Sequence, residues 1–115
     1  MMTTVFDPGV LLAEFGDEKL VRELAELLIE TAPPQVKKIL GAVEGGDANV
    51  VKSAAHQLRG ALATFGATAA TQDAYLLEAM GAAGDLSAAP PVASHLAADV
   101  QVLCDSAKAW LAEAA

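Results

Sequence analysis

Residues 47–66 read DANVVKSAAHQLRGALATFG, and this stretch predicts an amphipathic helix with two distinct faces. Asp47 is a suitable N-terminal cap, and Gly66 is a natural C-terminal stop. At about 100° per residue, the apolar face collects Val51, Ala54, Ala55, Leu58, Leu62 and Phe65. An adjoining arc carries Lys52, His56, Arg59, Gly60 and Ala63. The apolar face predicts a helix packed on other helices, with His56 beyond the edge of the core and at least partly exposed.

Two further helices are predicted before this stretch. A short one begins at Asp7-Pro8 and is broken by Gly16, and Asp17 can then cap a longer one. Pro33-Pro34 interrupt the longer pattern, because proline removes a backbone donor. The sequence leaves open one kinked helix or two abutting ones, ending near Gly45-Gly46. Apolar residues recur at helical spacing before the prolines as Leu20, Leu24, Leu27 and Leu28, and after them as Val36, Ile39, Leu40 and Val43.

Two more helices are predicted after the stretch. The fourth helix runs from about Thr68 to Met80, and Gly81 and Gly84 bracket its end. A connector with a helical turn occupies residues 85–91. The side chains expected to face inward on the fourth helix are Ala70, Ala74, Leu77 and Tyr75. Those expected on the last helix are Val92, Leu96, Val100, Leu103, Cys104, Ala107 and Leu111.

The pattern predicts an all-α fold, because no strand-like alternation of useful length occurs. Successive amphipathic helices with short connections favour an antiparallel four-helix bundle with a short additional N-terminal helix. The inward stripes match one core, so residues 1–115 are expected to form a single domain.

Charge and composition exclude several classes of partner. The formal net charge of −8 argues against a nucleic-acid surface and against a polybasic membrane contact. No basic segment followed by an apolar run opens the chain, and no run approaches the roughly 20 apolar residues that span a bilayer. A cytoplasmic location is therefore expected. The single cysteine, Cys104, excludes an internal disulfide and is expected to be a buried apolar residue.

The arc around His56 has the features of a group-transfer site. A neutral imidazole nitrogen is a nucleophile that can carry a phosphoryl group, and Lys52 and Arg59 can attract its charge. Gly60 costs the helix roughly 1 kcal/mol relative to alanine, which suggests close approach of something else. Gly60 and Ala63 keep the surface beside the ring low enough for another protein to close over it.

The run His56-Gln57-Leu58-Arg59-Gly60, followed by Gly66-Ala67, resembles the signature of histidine-containing phosphotransfer (HPt) domains. Arg59 stands where lysine is usual, and Ala61 stands where a small hydroxyl residue is common. Leu77-Glu78 resembles the family's Leu-Glu pair on the next helix. The resemblance implies that His56 is phosphorylated and that Glu78, 22 residues later, bonds the other ring nitrogen.

The resemblance also implies a function and its partners. The chain would accept a phosphoryl group on His56 from a receiver-domain aspartate and pass it to another receiver aspartate. It would work with response-regulator receivers and a (hybrid) histidine kinase, as a monomer without cofactor and without ATP chemistry of its own. A non-catalytic four-helix adaptor that docks such partners is the alternative. A third hypothesis, that the chain is a dimerising kinase core, is less favoured than these two, because such proteins need a separate ATP-binding domain.

Two other residues are expected to have structural roles. His95 has only Asp99 as an acidic neighbour within one turn, so we expect an edge histidine. A metal site built from His56, Glu78, His95 and an aspartate is not favoured, because di-metal bundles carry Glu-x-x-His pairs that this chain lacks. Trp110 is expected to anchor the C-terminal end of the core or an interface.

Overall fold

The computed structural model describes residues 6–114, which fold into five α-helices without a β-strand. The all-α prediction is therefore confirmed. The helices are α1 (Pro8–Phe15), α2 (Glu18–Gly45), α3 (Ala48–Thr64), α4 (Thr68–Ala83) and α5 (Ala89–Ala114). Helix α3 packs against α2 and α4, α5 packs against α2 and α4, and α1 packs against α2. The chain measures 43 × 27 × 21 Å along its principal axes.

An aspartate caps each of the first three helices, and the sequence predicts two of these caps, at Asp17 and Asp47. The Asp7 carboxylate accepts a hydrogen bond from Val10 N at 3.2 Å, and the equivalent Asp17 contact, to Lys19 N, is 2.9 Å. Asp47 accepts from Val50 N at 3.2 Å. These bonds satisfy amide donors that have no partner within the first helical turn.

Helix α2 is continuous through Pro33 and Pro34, which settles the choice between one helix and two. Both proline rings are exposed, whereas Ala32 and Val36 on either side are buried in the core. Packing of the flanking turns stabilises the helix where the prolines remove backbone hydrogen bonds.

The core contains leucine, valine and many alanines, but several large apolar side chains lie at the surface, among them Leu40 from the predicted apolar stripe of α2. Tyr75, expected inward, is 51% exposed, and Leu27 is 54% exposed. Leu20 also lies at the surface. The buried face of α2 is formed instead by Val21, Ala25, Leu28, Ala32, Val36, Ile39 and Ala42. Ala70, Ala74 and Leu77 occupy the inward positions of α4, and Tyr75 lies about 100° around the helix from Ala74.

Helix α4 ends between Gly81 and Gly84, as the sequence predicts, but three residues later than Met80, so Gly81 lies within its last turn. It is buried inside α4, which continues to Ala83, and Gly84 ends the helix with φ = 72°. A Cβ atom at Gly81 would lie 2.7 Å from Ala48 O and 2.7 Å from Lys52 N. Glycine is therefore required here because the α4 backbone touches the α3 backbone.

Trp110 joins an aromatic cluster at one end of the core. Its ring centroid lies 5.2 Å from that of Phe6, and Phe6 in turn lies 6.0 Å from Phe65. The predicted role as a core anchor is confirmed. Among the described residues, no helix combines the length and apolar character needed to cross a bilayer.

Candidate functional site

His56 projects from the solvent edge of α3. Its side chain is 64% exposed, whereas its neighbours Ala55 and Leu58 are buried. The two faces read from the sequence are therefore the two faces of the folded helix. The imidazole is positioned by a rigid, packed helix and stays accessible to another molecule.

Glu78 on α4 is hydrogen-bonded to the imidazole. Its Oε2 lies 2.9 Å from His56 Nδ1, and its side chain is only 20% exposed. An ionised carboxylate only accepts hydrogen bonds, so we assign the proton of the neutral imidazole to Nδ1. The lone pair is then on Nε2. Leu77, the preceding residue, is buried and fixes the face of α4 that Glu78 occupies.

Arg59 holds the other oxygen of the same carboxylate. Its Nε donates to Glu78 Oε1 at 2.8 Å, and its guanidinium carbon lies 5.7 Å from the centre of the Tyr75 ring. Arg59 Nη2 also comes within 3.4 Å of His56 Nδ1. Both atoms are donors in the tautomer assigned above, so this approach is a contact and not a hydrogen bond. Arg59 thus acts on the imidazole through Glu78.

Glu78 remains ionised because its partners outweigh its partial burial. Desolvation alone would raise its pKa, but the hydrogen bonds from His56 and Arg59 and the Arg59 charge hold that pKa below the ordinary value. The carboxylate is therefore available as an acceptor for Nδ1–H at neutral pH.

An open cavity of about 510 Å³ adjoins the imidazole. It is lined by Asn49, Lys52, Ser53, His56, Gln57 and Glu78. Lys52 is exposed, and within residues 6–114 its ammonium group forms no ion pair. The structure thus brings Lys52 to the same cavity as His56, with its charge uncommitted, whereas the Arg59 charge is committed to Glu78.

Gly60 and Ala63 are both exposed on the histidine face. A Cβ atom built at Gly60 meets no other atom within 4 Å. Nothing in the described chain therefore requires glycine at this position, in contrast to Gly81. The surface beside the imidazole is low, as the sequence predicts.

The second histidine has a carboxylate partner that the sequence analysis missed. His95 Nδ1 on α5 lies 2.5 Å from Asp73 Oδ2 on α4 and 3.6 Å from Asp99 Oδ2. The hydrogen bond to Asp73, the charge of Asp73 and then that of Asp99 raise the His95 pKa. A helical pattern groups residues of one helix only, so it does not indicate a partner such as Asp73 on the neighbouring helix. His95 is a satisfied edge histidine, in a cluster that contains neither His56 nor Glu78.

Comparison with known proteins gives one family match. A family model described as an Hpt domain matches residues 23–106, a range that includes His56, Arg59 and Glu78. Neither the curated proteins nor the solved structures gave a significant match.

Proposed function

The chain belongs to the Hpt domain family, and from that premise we propose that His56 is its phosphorylated residue. Hpt domains are histidine phosphotransfer modules of two-component phosphorelays, and they interact with receiver domains and kinases without using ATP themselves. The observation that carries the proposal is the exposed His56 imidazole with Glu78 bonded to Nδ1, inside the matched range. The donor and the acceptor of this chain are proposed to be receiver-domain aspartates.

The proposed transfer step is balanced without a proton shuttle. The Nε2 lone pair attacks the phosphorus of an aspartyl phosphate, an N–P bond forms, and the acyl O–P bond breaks with its electrons remaining on the receiver's carboxylate. The ring gains positive charge while Nδ1–H stays hydrogen-bonded to Glu78, which stabilises that charge. Attack by a second receiver aspartate on the same phosphorus reverses the step.

The supporting residues have distinct proposed roles. Lys52 attracts the phosphoryl oxygens, because its ammonium group is exposed beside the imidazole. Glu78 fixes the tautomer and the ring orientation, and Arg59 positions Glu78. Gly60 and Ala63 leave clearance for the receiver, since the described chain itself makes no use of the space at Gly60.

We further propose that α2–α5 form an antiparallel four-helix bundle and that residues 1–115 are a single domain that works as a monomer. Support comes from the packing of α2 on α3, α3 on α4, α4 on α5 and α5 on α2, joined by short connections. One continuous set of buried residues draws on all five helices. The cytoplasmic location stays a prediction from the sequence.

The experiment is transfer from a phosphorylated receiver domain to the purified full chain. We expect acid-labile, alkali-stable phosphate on the chain, and mass spectrometry should place it on the peptide with His56 and not on that with His95. His56→Gln should abolish labelling. A matched control is Gln57→Ala, which alters the adjacent exposed position and leaves the imidazole in place.

Two results would contradict the proposal. Labelling that survives His56→Gln, or that maps to His95, would assign the phosphoryl group elsewhere. Receiver binding of equal affinity in wild type and His56→Gln, without movement of phosphate, would favour the adaptor alternative.

A further inference from the structure

A second cluster of metal-ligating side chains lies where α4 packs against α5, apart from the His56 site. His95 and Asp99 are four residues apart on one face of α5, and Asp73 reaches them from α4. One donor atom from each of the three residues lies within 4.8 Å of the other two. Three donors from two packed helices are thus already gathered around one point.

The carboxylates of this cluster lack a permanent cation. In the described part of the chain, neither Asp73 nor Asp99 pairs with a lysine or an arginine; their one basic partner is His95. Asp99 Oδ2 is shielded from solvent and accepts no hydrogen bond from the described residues, although it lies 3.6 Å from His95 Nδ1. A shielded carboxylate oxygen without a donor is costly, so the cluster has an unmet demand for positive charge.

We propose that Asp73, His95 and Asp99 bind one divalent zinc-type ion, with water as the remaining ligand. Two carboxylates and a neutral imidazole carry a charge of about −2, which such an ion neutralises. An imidazole nitrogen beside carboxylate oxygens suits zinc and its transition-metal neighbours, whereas magnesium and calcium prefer oxygen ligands alone.

The geometry needs only a small adjustment to bind the ion. Ligand atoms about 2.0–2.2 Å from a tetrahedral ion lie about 3.3 Å from one another. The Asp73–His95 contact of 2.5 Å therefore opens by about 1 Å. The ion takes the place of the Nδ1 proton, which leaves to solvent, and the neutral ring keeps a proton on the exposed Nε2. The His95 side chain is 60% exposed, so the ion has an entry path and the ring can adjust.

The same contacts argue against a second phosphorylation site. His56 has one carboxylate neighbour, Glu78, together with the cationic side chains of Lys52 and Arg59, whereas His95 has two carboxylate neighbours and no lysine or arginine paired with them in the described residues. Two negative charges near Nδ1 repel a phosphoryl group and attract a cation. The metal proposal does not depend on the proposed function, since the two clusters share no residue.

The experiment is isothermal titration of the chelator-treated full chain with zinc chloride. We expect saturable binding of one ion per chain. Asp73→Asn, which preserves side-chain shape, and His95→Gln, which removes the imidazole, should each weaken binding by at least about 10-fold. The matched controls are Asp105→Asn, an exposed carboxylate farther along α5, and His56→Gln; both should bind zinc as the wild type does. Magnesium chloride should not saturate the site.

A second measurement uses only the wild-type chain, so it tests the proposal even if a variant does not fold. Zinc should shift the ring NMR signals of His95 and leave those of His56 in place. Absence of saturable binding by the wild type would overturn the proposal. So would equal affinity in His95→Gln, or a zinc-dependent shift confined to His56.

Discussion

Glu78 contacts His56 Nδ1 and Arg59 Nε at the same time, one residue through each carboxylate oxygen, at 2.9 and 2.8 Å. The two contacted residues are three positions apart on α3, so the carboxylate bridges two side chains that are separated by nearly one helical turn. Because both oxygens are engaged, the carboxylate has a fixed orientation toward the ring. The basicity and the orientation of the imidazole therefore depend on a residue of the neighbouring helix.

Glu78→Ala is expected to slow phosphotransfer to His56 by about fivefold, the equivalent of one net hydrogen bond of about 1 kcal/mol. Glu78→Gln should retain most of the rate, because the amide oxygen still accepts from Nδ1–H. Rapid-quench transfer from a labelled receiver measures both rates. A wild-type rate in Glu78→Ala would show that the contact has no part in transfer.

Arg59→Lys is expected to slow transfer although it keeps the charge. Lysine lacks the planar fork that joins Arg59 Nε to Glu78 and stacks over Tyr75. If Arg59 acts by positioning Glu78, its effect should disappear when Glu78 is already alanine. A double-mutant cycle on the transfer rate measures this coupling. Additive effects would instead mean that Arg59 contacts the phosphoryl group directly.

Gly60→Leu should leave the fold intact and block receiver docking. The side chain enters open space in the isolated chain, but it raises the wall beside His56. We expect an unchanged circular dichroism spectrum together with a loss of transfer and of receiver binding. Leu76→Ala, which removes an exposed apolar side chain from α4, is a control for general surface changes. Transfer at the wild-type rate in Gly60→Leu would refute the clearance argument.

Alanine substitution should have opposite effects on stability at Gly60 and at Gly81. Gly60→Ala is expected to stabilise the folded chain by about 0.5–1 kcal/mol, because alanine favours helix and the space is free. Gly81→Ala should destabilise it by about 1–3 kcal/mol, since the new Cβ meets backbone atoms at 2.7 Å. Urea unfolding of both variants gives the two free energies. Equal signs would contradict the proposed contrast.

The stabilising effect of Glu78 should disappear in acid. Its pKa in the folded chain lies below the ordinary 4.5, so the unfolded chain binds the proton more readily than the folded chain does. Ionised Glu78 therefore stabilises the fold above that ordinary value, and the contribution is lost as the pH falls through the lowered pKa. The difference in unfolding free energy between wild type and Glu78→Gln should be largest near neutral pH and should decrease as the pH falls below the ordinary value of 4.5. A difference independent of pH would contradict this assignment.

The sequence predicted where the helices begin and end better than it predicted which residues of different helices contact one another. Aspartate caps and glycine stops are properties of neighbouring residues, so the caps Asp17 and Asp47 were identified from sequence alone. The outcome at Pro33-Pro34 depended on tertiary packing, which the periodicity of one helix does not contain. The exposed position of Tyr75 had the same origin, because it depends on which face of α4 packs against the core and on Arg59 from α3.

For a related reason, the helical pattern predicted the site residues that share one helix but not the contacts between residues on different helices. His56, Lys52 and Arg59 share one helix, and a helical wheel was enough to group them. Glu78 was located through the family resemblance. The Asp73–His95 pair had neither a shared helix nor a familiar motif to indicate it. The 22-residue separation that joins His56 to Glu78 also separates Asp73 from His95, and this equal spacing is the one signal that could have found it.

The contact at Gly81 sets the axial register of α4 against α3 by backbone atoms alone. Gly81 lies three residues after Glu78, and the atoms it approaches belong to Ala48 and Lys52, which lie about two turns and one turn before His56 on α3. Backbone atoms have no rotamers, so this register should be unchanged when substitutions alter the volume of the surrounding core side chains. Many core alanines and leucines can therefore be substituted during evolution while the distance between the imidazole and the carboxylate is preserved. A side chain at Gly81 would change that spacing from a position that touches neither group.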